Sequence, residues 1–530
     1  MVKNSFFSFL NTYGTFIFSL ISSFLLARLI GDLSWGYFVL GLSYIQIISL
    51  ITNFLPPSLK NTLHYYIPRF ISLNQKNQLK SFIVRAIYVK VLFLIPTFVI
   101  SILSFILLSN IFLINLPGEN IKLLLLLSPL IIINNLQVIL NSVNIGFNRF
   151  KTVFFLVSIQ YLIYIGFLLY FFIFFGGIGL ESLALIFVFS ALIPFLLNIV
   201  INARNIHGIK VSGKSSTPLR DDLQEMVKYG GLVIAATFFS EIWGEIQVQS
   251  IGVFKPESVL GFKISRDLLS VSVNASLAIS YPLTVSFSSF VAKEKKDNIV
   301  AIYNLLLKYI IFLIEIITGL LFFSADIFIA FIYGEPRLIY SDIVKLYLFT
   351  FIFLIIASPL DSLLLAENKG KYLVLLRFIG LLLRLPLFLV LLVFLDLYYA
   401  IIGITISNFV FSAIYLFVTI TIGNIKLNIK KIIYQYLIFF FALGFTLVLE
   451  FFILDALNNM FLEYLGLQIF NTFNIFSLIV FLLGYMLLII EFRVLTVGDI
   501  KHLQSFFIKE SMMHKMTNKA LNFLKKILKE

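Results

Sequence analysis

Long, nearly continuous apolar runs constrain this chain more than any other feature of its sequence. Hydrophobic residues fill 60% of its 530 positions and charged residues only 12%, which excludes a soluble globule of this length. A helix that crosses a bilayer core needs about 20 apolar residues, and about fourteen runs have that length. Their approximate ranges are 5–30, 34–57, 82–112, 121–146, 152–176, 178–202, 227–253, 259–290, 300–324, 340–366, 371–395, 398–422, 432–455 and 471–492.

The pattern within these runs predicts helices. Backbone polar groups cannot remain unpaired in lipid, so a spanning segment must be a helix or part of a closed barrel. The runs are continuously apolar and lack the period-two alternation of barrel strands. We therefore predict an all-α integral membrane protein with about 14 transmembrane helices.

The second half of the chain resembles the first at a shift of about 220 residues. Asn148-Arg149-Phe150-Lys151 matches Asn368-Lys369-Gly370-Lys371, and Asn205-Ile206 matches Asn424-Ile425. Each match is short, but the constant offset predicts a duplication of six spans. An even number of spans gives both units the same orientation, so the predicted architecture is two pseudo-symmetric six-helix lobes around a central cavity, plus two C-terminal helices.

This repeat divides the chain into five predicted parts. They are an N-lobe at 1–204, a cytoplasmic linker at 205–226, a C-lobe at 227–425, two further spans within 426–495, and a basic tail at 496–530. The tail mixes Phe, Met and Leu with lysines, which favours an amphipathic helix on the inner leaflet. A solvated basic tail is the alternative.

The net charge of +14 is placed mostly between the spans, and it alternates from one connection to the next. Cations dominate every second connection, whereas acidic residues dominate the others. The positive-inside rule then places both termini in the cytoplasm, consistent with a multi-pass plasma membrane protein. Charge distributed in this way indicates topology and gives no reason to expect nucleic acid binding. The cation-rich segments are 58–81, 149–151, 204–226, 293–296, 369–371 and 426–431.

Several kinds of chemistry have no basis in the sequence. The chain contains no cysteine, which removes disulfides and thiolate sites, and its four histidines lack metal-ligand spacing. No glycine-rich loop that would cradle phosphate is present. No Ser-His-Asp or paired-carboxylate constellation stands on a predicted outer loop. We therefore expect a protein without a cofactor or metal that is not an enzyme.

Short motifs near the helix ends resemble a known transporter family. Ala27-Arg28-Leu29-Ile30-Gly31 precedes Gly36-Tyr37-Phe38, and Ile67-Pro68-Arg69-Phe70 follows the second span. Gly261-Phe262 precedes Arg266, and Gly146 precedes Arg149-Phe150-Lys151. With twelve duplicated spans plus two, these motifs resemble the multidrug/oligosaccharidyl-lipid/polysaccharide (MOP) exporter superfamily, and within it the Wzx-type oligosaccharide flippases. The chain departs from the pattern where Asp267 follows Arg266, and where Glu245 or Gln247 stands in place of a usual aspartate.

The resemblance implies a function and partners. It implies alternating-access translocation of a polyprenyl phosphate or pyrophosphate that carries an oligosaccharide, from the inner to the outer leaflet. Membrane lipids and glycan assembly enzymes would be the accompanying partners. The resemblance leaves the sugar and the oligomeric state open.

Charged residues inside predicted spans are the first functional candidates, because a charge in a bilayer is costly. Arg28, Arg266, Arg377 and Arg384 are candidates for the phosphate of the substrate, since guanidinium groups bind phosphate through two hydrogen bonds. Arg377 and Arg384 are seven residues apart and share one helix face. Interhelical salt bridges, and snorkelling of Arg28, are the alternatives.

Acidic residues of the second lobe suggest ion coupling. Glu241 and Glu245 are four residues apart on one face of the seventh span, where two carboxylates favour binding of H⁺ or Na⁺. Glu315 lies in the ninth span and shares a helix face with Lys308. The alternative is that these carboxylates only neutralise neighbouring cations.

An amide stripe runs along the fourth span. Asn134, Gln137, Asn141 and Asn144 follow steps of three, four and three residues, which hold one helix face. Such amides suit the hydroxyls of a sugar, but they equally suit hydrogen bonds between membrane helices.

Two other classes of function compete with the oligosaccharide flippase, and a lipid II flippase is a neighbouring variant that the short motifs leave open. A cation-coupled multidrug exporter of the same superfamily would favour an acidic first lobe, whereas the charges here concentrate in the second. A membrane polymerase or ligase for lipid-linked glycans would favour a long outer loop, and the repeat has no explanation in that case. The sequence therefore favours the flippase, with coupling to an ion gradient.

Overall fold

The computed structural model describes a helical protein. It covers residues 2–53, 59–112, 119–209, 219–274, 296–367, 369–458, 475–492 and 494. Throughout these residues the regular structure is helical, which confirms the predicted all-α class. In the described chain ten helices are long and apolar enough to cross a membrane, and Tyr13–Leu29 and Ile475–Glu491 are shorter apolar helices. The chain is a multi-pass membrane protein.

The helices follow the predicted apolar runs closely. A 3-10 turn at Pro256–Ser258 precedes α10, a second at Glu335–Tyr340 precedes α12, and a π-helical stretch at Glu450–Leu454 extends α16. In chain order the helices are α1 (Val2–Leu29), α2 (Asp32–Thr52), α3 (Leu59–Ser72), α4 (Lys76–Phe112), α5 (Glu119–Leu127), α6 (Pro129–Gly146), α7 (Phe150–Phe174), α8 (Leu180–His207), α9 (Leu219–Phe254), α10 (259–274), α11 (Lys296–Tyr333), α12 (Ser341–Leu354), α13 (Ala357–Ala366), α14 (Gly370–Phe394), α15 (Leu397–Thr421), α16 (Ile429–Leu449) and α17 (Ile475–Glu491).

Proline explains one break within a predicted span. Pro129 occupies the first turn of α6, directly after the turn residue Ser128 that separates it from α5. Proline suits the first helical turn because the missing N–H has no partner there in any helix. Pro386 instead lies inside α14 without ending it.

The chain folds into two compact units. Unit 1 contains Met1–Asp267, Ile329–Tyr347 and Asn368–Phe411, and unit 2 contains Leu268–Phe328, Leu348–Glu367 and Ser412–Glu530. The boundary therefore passes through α10, α11, α12 and α15. The predicted division into lobes and linker remains a prediction.

Unit 1 is assembled from antiparallel neighbours and from helices distant in sequence. Helix α1 packs along α7, α2 along α9, α3 on α6, and α9 along α14. Close approach depends on small residues: a Cβ at Gly146 would lie 2.8 Å from Ile67. A buried cluster that includes Leu63, Ile67, Phe82 and Val143 joins α3, α4 and α6.

Unit 2 is held by aromatic contacts among α11, α12, α16 and α17. The Phe323 ring on α11 lies 5.5 Å from that of Phe481 on α17. On α16, Phe440 stacks on Phe349 of α12 at 6.2 Å. The Tyr303 hydroxyl of α11 bonds with Thr419 of α15 at 3.2 Å. Apolar rings thus fill most of the space between these helices.

Two sequence-based expectations fall outside the described residues. The amphipathic tail at 496–530 lies beyond the last described residue, Val494, and the middle of the linker at 210–218 is likewise outside the described chain. Both expectations remain predictions.

Gly319 on α11 allows α17 to approach closely, and we predict that Gly319→Ala destabilises unit 2. An added Cβ would lie 2.0 Å from the Phe481 ring, which is fully buried and has no room to move. Overpacking of this kind costs about 1–3 kcal/mol. The matched control is Gly484→Ala on α17, where nothing lies within 4 Å. Thermal unfolding in detergent should show a lower midpoint for Gly319→Ala only, and equal midpoints would contradict the packing argument.

Candidate functional site

Most of the predicted site residues belong to unit 1, and Glu315 belongs to unit 2. Arg266 of α10 reaches α9, where its Nη2 lies 3.3 Å from Glu245 Oε1 and its Nη1 lies 3.4 Å from the Gly244 carbonyl oxygen. The Glu245 side chain is 13% exposed and that of Arg266 is 38% exposed. The interhelical salt bridge that the sequence left as an alternative is thus formed, and it neutralises both groups.

Arg384 lies close to the same cluster. Its side chain is 8% exposed, and its guanidinium carbon lies 4.7 Å from the centre of the Phe411 ring. The phenol of Tyr347 experiences the charges of both Arg266 and Arg384, and its ring lies 5.1 Å from that of Phe262. One salt bridge joins Arg266 to Glu245, and the charges of Arg266 and Arg384 both act on Tyr347; we call these four residues the central cluster.

The remaining charged candidates of α9 and α14 are less enclosed. Glu241 is exposed, and it experiences the charges of Lys60 on α3 and of Glu245. Arg377 is half-buried on α14. The charges of Arg266 and Arg384 thus act on one phenol, that of Tyr347, and Arg377 lies two turns before Arg384 on α14.

The amide stripe of α6 is largely used between helices. Asn144 Nδ2 donates to Asn198 Oδ1 at 2.9 Å, and Asn198 Nδ2 donates to Asn141 Oδ1 at 2.8 Å. Asn202 Nδ2 also donates to Asn198 Oδ1, at 2.8 Å. These bonds connect α6 to α8, so two of the four amides have a structural partner that sequence spacing did not reveal. The other two, Asn134 and Gln137, are half-buried and buried.

Arg28 serves as a cap for a neighbouring helix. Its Nη1 donates to the carbonyl of Ile332 at 3.1 Å and its Nη2 to that of Phe331 at 3.2 Å, both in the last turn of α11. Its guanidinium also lies 3.5 Å from the centre of the Phe24 ring. A cation at a helix C-terminus interacts favourably with the helix dipole, which accounts for this arginine without a substrate.

A second group of charges surrounds Trp35, and we call it the end cluster. Arg337 donates to the Ala27 carbonyl at 2.8 Å and forms a salt bridge with Asp32. Lys263 pairs with Asp267, one turn along α10, and its Nζ lies 5.0 Å from the centre of the Trp35 ring. Tyr333 donates to the same aspartate. The end cluster ties α1 and α2 to α10 and to the segment after α11.

An apolar groove of about 730 Å³ lies in unit 1. Ile242 and Ile246 of α9, which flank Glu245 in sequence, line it. Gln249, one turn beyond Glu245 on the same helix, also lines the groove and donates to the Leu40 carbonyl at 2.9 Å. The remaining walls come from α2, α4 and α14. The groove and Glu245 thus share helix α9.

Glu315 occupies a dry site in unit 2. Its side chain is fully buried, and its Oε2 accepts hydrogen bonds from Tyr485 and from Gln435 Nε2, the latter at 3.3 Å. Its Oε1 has no hydrogen-bond partner among the described residues. Within the described chain, no group of three or more His, Cys, Asp or Glu side chains could hold a metal ion.

No family model matches the sequence, and no curated protein matches it. Solved structures do match. The chain resembles an inward-facing multidrug resistance MATE family transporter of the MOP superfamily, with a TM-score of 0.62, 14% identity, and coverage of 77% of this chain and 94% of that one. It also resembles the lipid II flippase MurJ in its inward closed conformation, with a TM-score of 0.64, 16% identity, and coverage of 92% and 98%. The fold is that of the MOP-superfamily transporters.

A third relative of this fold comes from an archaeon. It is a MOP superfamily transporter from Pyrococcus furiosus, described as having a binding pocket of reverse polarity, with a TM-score of 0.58, 13% identity, and coverage of 78% of this chain and 93% of that one. At such identities the likeness shows the fold alone. The MOP fold is thus confirmed, whereas membership of the Wzx-type family remains a prediction.

Sequence reasoning missed several residues of the candidate site and the end cluster. Lys263 and Asp267 are one turn apart on α10, and this spacing was a usable signal for a salt bridge. No sequence signal pointed to Tyr347 or Arg337. The partners of Arg337 are about 300 residues away in sequence, and no local pattern indicates such a contact.

We predict that Arg337→Gln destabilises the protein. The side chain is 9% exposed, and its loss leaves the Ala27 carbonyl and Asp32 without a donor, at a cost of about 1–3 kcal/mol. The control is Lys122→Gln, because the Lys122–Glu181 pair is 68% and 55% exposed and such pairs contribute about 0–1 kcal/mol. Thermal unfolding of both variants measures the difference, and an equal loss in the two would contradict a stabilising role for the end cluster.

Proposed function

We propose that the protein translocates a polyprenyl phosphate or pyrophosphate that carries an oligosaccharide, from the cytoplasmic to the outer leaflet. The observations that carry this proposal are the central cluster and the apolar groove, which share helix α9. The charges of Arg266 and Arg384 both act on Tyr347, and Ile242 and Ile246, which flank Glu245 in sequence, line the groove of about 730 Å³. Such a site suits an amphiphile with a phosphate head and a hydrocarbon tail.

Each part of the site has an assigned task in this proposal. Arg266 and Arg384 bind the phosphate, and the phenol of Tyr347 adds a neutral donor. The groove receives part of the isoprenoid chain, where apolar surface leaves water. Arg377, Asn134 and Gln137 remain candidates for the head group and the sugars. Three other candidates suit this role less well, because they already form hydrogen bonds within the protein: Arg28, Asn141 and Asn144.

In the proposed transport cycle, Glu245 supplies the negative charge that balances Arg266. With no substrate bound, the carboxylate holds Arg266 in a salt bridge, so the arginine does not remain uncompensated in a poorly hydrated site. An arriving phosphate competes for the same guanidinium. Once released, Glu245 takes up H⁺ or Na⁺ together with its neighbour Glu241, which couples translocation to an ion gradient.

Location and partners follow from the proposed cargo. We place the protein in the plasma membrane with both termini in the cytoplasm, as the alternating charge of the connections favours. The enzymes that assemble the glycan on the inner face would supply the substrate, and the basic tail at 496–530 would lie on the inner leaflet.

A multidrug exporter is the second candidate function. The apolar walls of the groove together with the exposed carboxylate of Glu241 also suit a lipophilic organic cation. The two candidates differ in the sign of the cargo. An exporter needs the carboxylates and is hindered by the arginines, whereas the flippase needs the arginines.

We predict that Arg266→Gln lowers translocation of a lipid-linked saccharide about 10- to 100-fold, which corresponds to the loss of a charge-assisted hydrogen bond. The probe is a polyprenyl diphosphate that carries a fluorescent disaccharide, in proteoliposomes of the full-length protein. An impermeant quencher reports the fraction of label in the outer leaflet.

The double variant Glu245→Gln with Arg266→Gln is the matched control. It removes both charges of the pair, so it should recover any stability that the single variant loses while translocation stays low. Wild-type translocation by a folded Arg266→Gln protein would overturn the role of this arginine. Transport of ethidium but not of the saccharide by the wild type, abolished by Glu241→Gln, would favour the exporter.

A further inference from the structure

Glu315 is the most enclosed acidic side chain in the described chain, and it belongs to a different set of helices from the central cluster. It lies on α11, and its two hydrogen-bond donors come from Gln435 on α16 and Tyr485 on α17. Helices α16 and α17 correspond to the two spans that the sequence places outside the repeat. The site therefore requires helices that the duplicated spans do not supply.

The surroundings of this carboxyl group are aromatic. Tyr485 stacks on Phe312 at 6.0 Å and on Phe481 at 5.8 Å, and Phe439 lies edge-on to it at 6.1 Å. Both described hydrogen-bond partners of Glu315 are neutral, and both act on Oε2. An ionised carboxylate without a cation in such a medium is strongly disfavoured, whereas the neutral acid is tolerated.

The two hydrogen-bond donors at Glu315 favour a bound proton over a bound metal cation. Sodium and larger cations need several oxygen lone pairs around them, but Gln435 and Tyr485 turn N–H and O–H groups towards the carboxyl group. A proton on the carboxyl group needs no further ligands, so this geometry favours H⁺.

A route for exchange leads through Gln435. This residue is 2% exposed, yet it lines a cavity of about 690 Å³ in unit 2 together with Lys308 and Lys430. Its Nε2 donates to the Lys308 carbonyl at 3.2 Å as well as to Glu315. The same amide thus connects the wall of the cavity with the buried carboxyl group.

Three other polar or charged groups lie near this site. Tyr436 on α16 experiences the charge of Glu315 and donates its hydroxyl to the Ile352 carbonyl at 3.0 Å. On α11, Lys308 is about two turns before Glu315 and lines the cavity. On the same helix, Thr318 is fully buried. The phenols of Tyr436 and Tyr485 are neutral at ordinary pH.

We propose that Glu315 is a proton-binding site formed by α11, α16 and α17, which carries a proton in this conformation and exchanges it with water that enters the cavity lined by Gln435 and Lys308. This inference concerns the coupling ion and does not rest on the identity of the cargo. Glu315 belongs to unit 2, whereas the arginines that we propose for the phosphate belong to unit 1.

The test is an infrared titration of the full-length protein in lipid nanodiscs. A protonated carboxylic acid gives a carbonyl stretch that shifts in D₂O. At neutral pH the wild type should show such a band, Glu315→Gln should lose it, and Glu241→Gln should keep it. Glutamine preserves the shape of the side chain and leaves an oxygen that accepts the two hydrogen bonds, so the variant should unfold at a similar temperature.

Exchange is tested in the same sample. The band should disappear reversibly as the pH is raised, and Gln435→Leu should slow its response to D₂O. An unchanged band in Glu315→Gln would show that Glu315 is ionised and would overturn the proposal. A band that never titrates before unfolding would contradict exchange. Loss of the band on addition of NaCl at constant pH would show a sodium site instead.

Discussion

Hydrocarbon offers no hydrogen-bond partner, so polar side chains in these helices depend on one another and on freed backbone carbonyls. Arg28 bonds to the carbonyls that end α11, and Lys90, which is 1% exposed, bonds to the Thr52 carbonyl at the end of α2. Asn198 links two asparagines of α6 to a third on α8. Each contact fixes the register of one helix against another, so the polar residues set the geometry that the apolar surfaces then fill.

The same constraint distinguishes charges that stabilise helix packing from charges that are available to bind a substrate. Arg28 points at backbone carbonyls, which are fixed acceptors that a substrate would displace only at a high cost, and Arg337 is held by the Ala27 carbonyl as well as by Asp32. Arg266 also reaches a carbonyl, that of Gly244, but its charge is paired with the Glu245 carboxylate at 3.3 Å. A carboxylate can be neutralised or can move away, which would leave this arginine available to a phosphate. This difference in partner is why the proposed function rests on the central cluster.

Local features of the sequence predicted the helices well, and contacts between distant segments only in part. Continuous apolar runs predicted the all-α class, because this signal acts within a few residues, whereas the predicted span 121–146 ran through the break before Pro129. Spacing also showed that Asn141 and Asn144 share a face. It could not show that this face meets Asn198, since a membrane helix presents similar apolar surface in all directions. For the same reason, the sequence did not indicate that Tyr347 belongs to the central cluster.

The charged candidates show the same limit. From the sequence, either a phosphate or Glu245 was a possible partner of Arg266. Only the packing of α9 against α10 shows that the Glu245 carboxylate lies within 3.3 Å of the Arg266 guanidinium. Glu315 was predicted to share a face with Lys308 on α11. Its partners in the structure come from α16 and α17, more than 100 residues later, beyond any periodicity.

The central claim is that this protein, whose fold is that of the MOP-superfamily transporters, moves a lipid-linked saccharide. The most direct measurement is deletion of its gene in the source organism, followed by profiling of lipid-linked saccharides and of surface glycan. The account predicts that a completed lipid-linked saccharide accumulates on the cytoplasmic face while surface glycan is lost, and that the wild-type gene reverses both. Unchanged lipid-linked saccharides and surface glycan, in a strain without a second copy of such a gene, would contradict it.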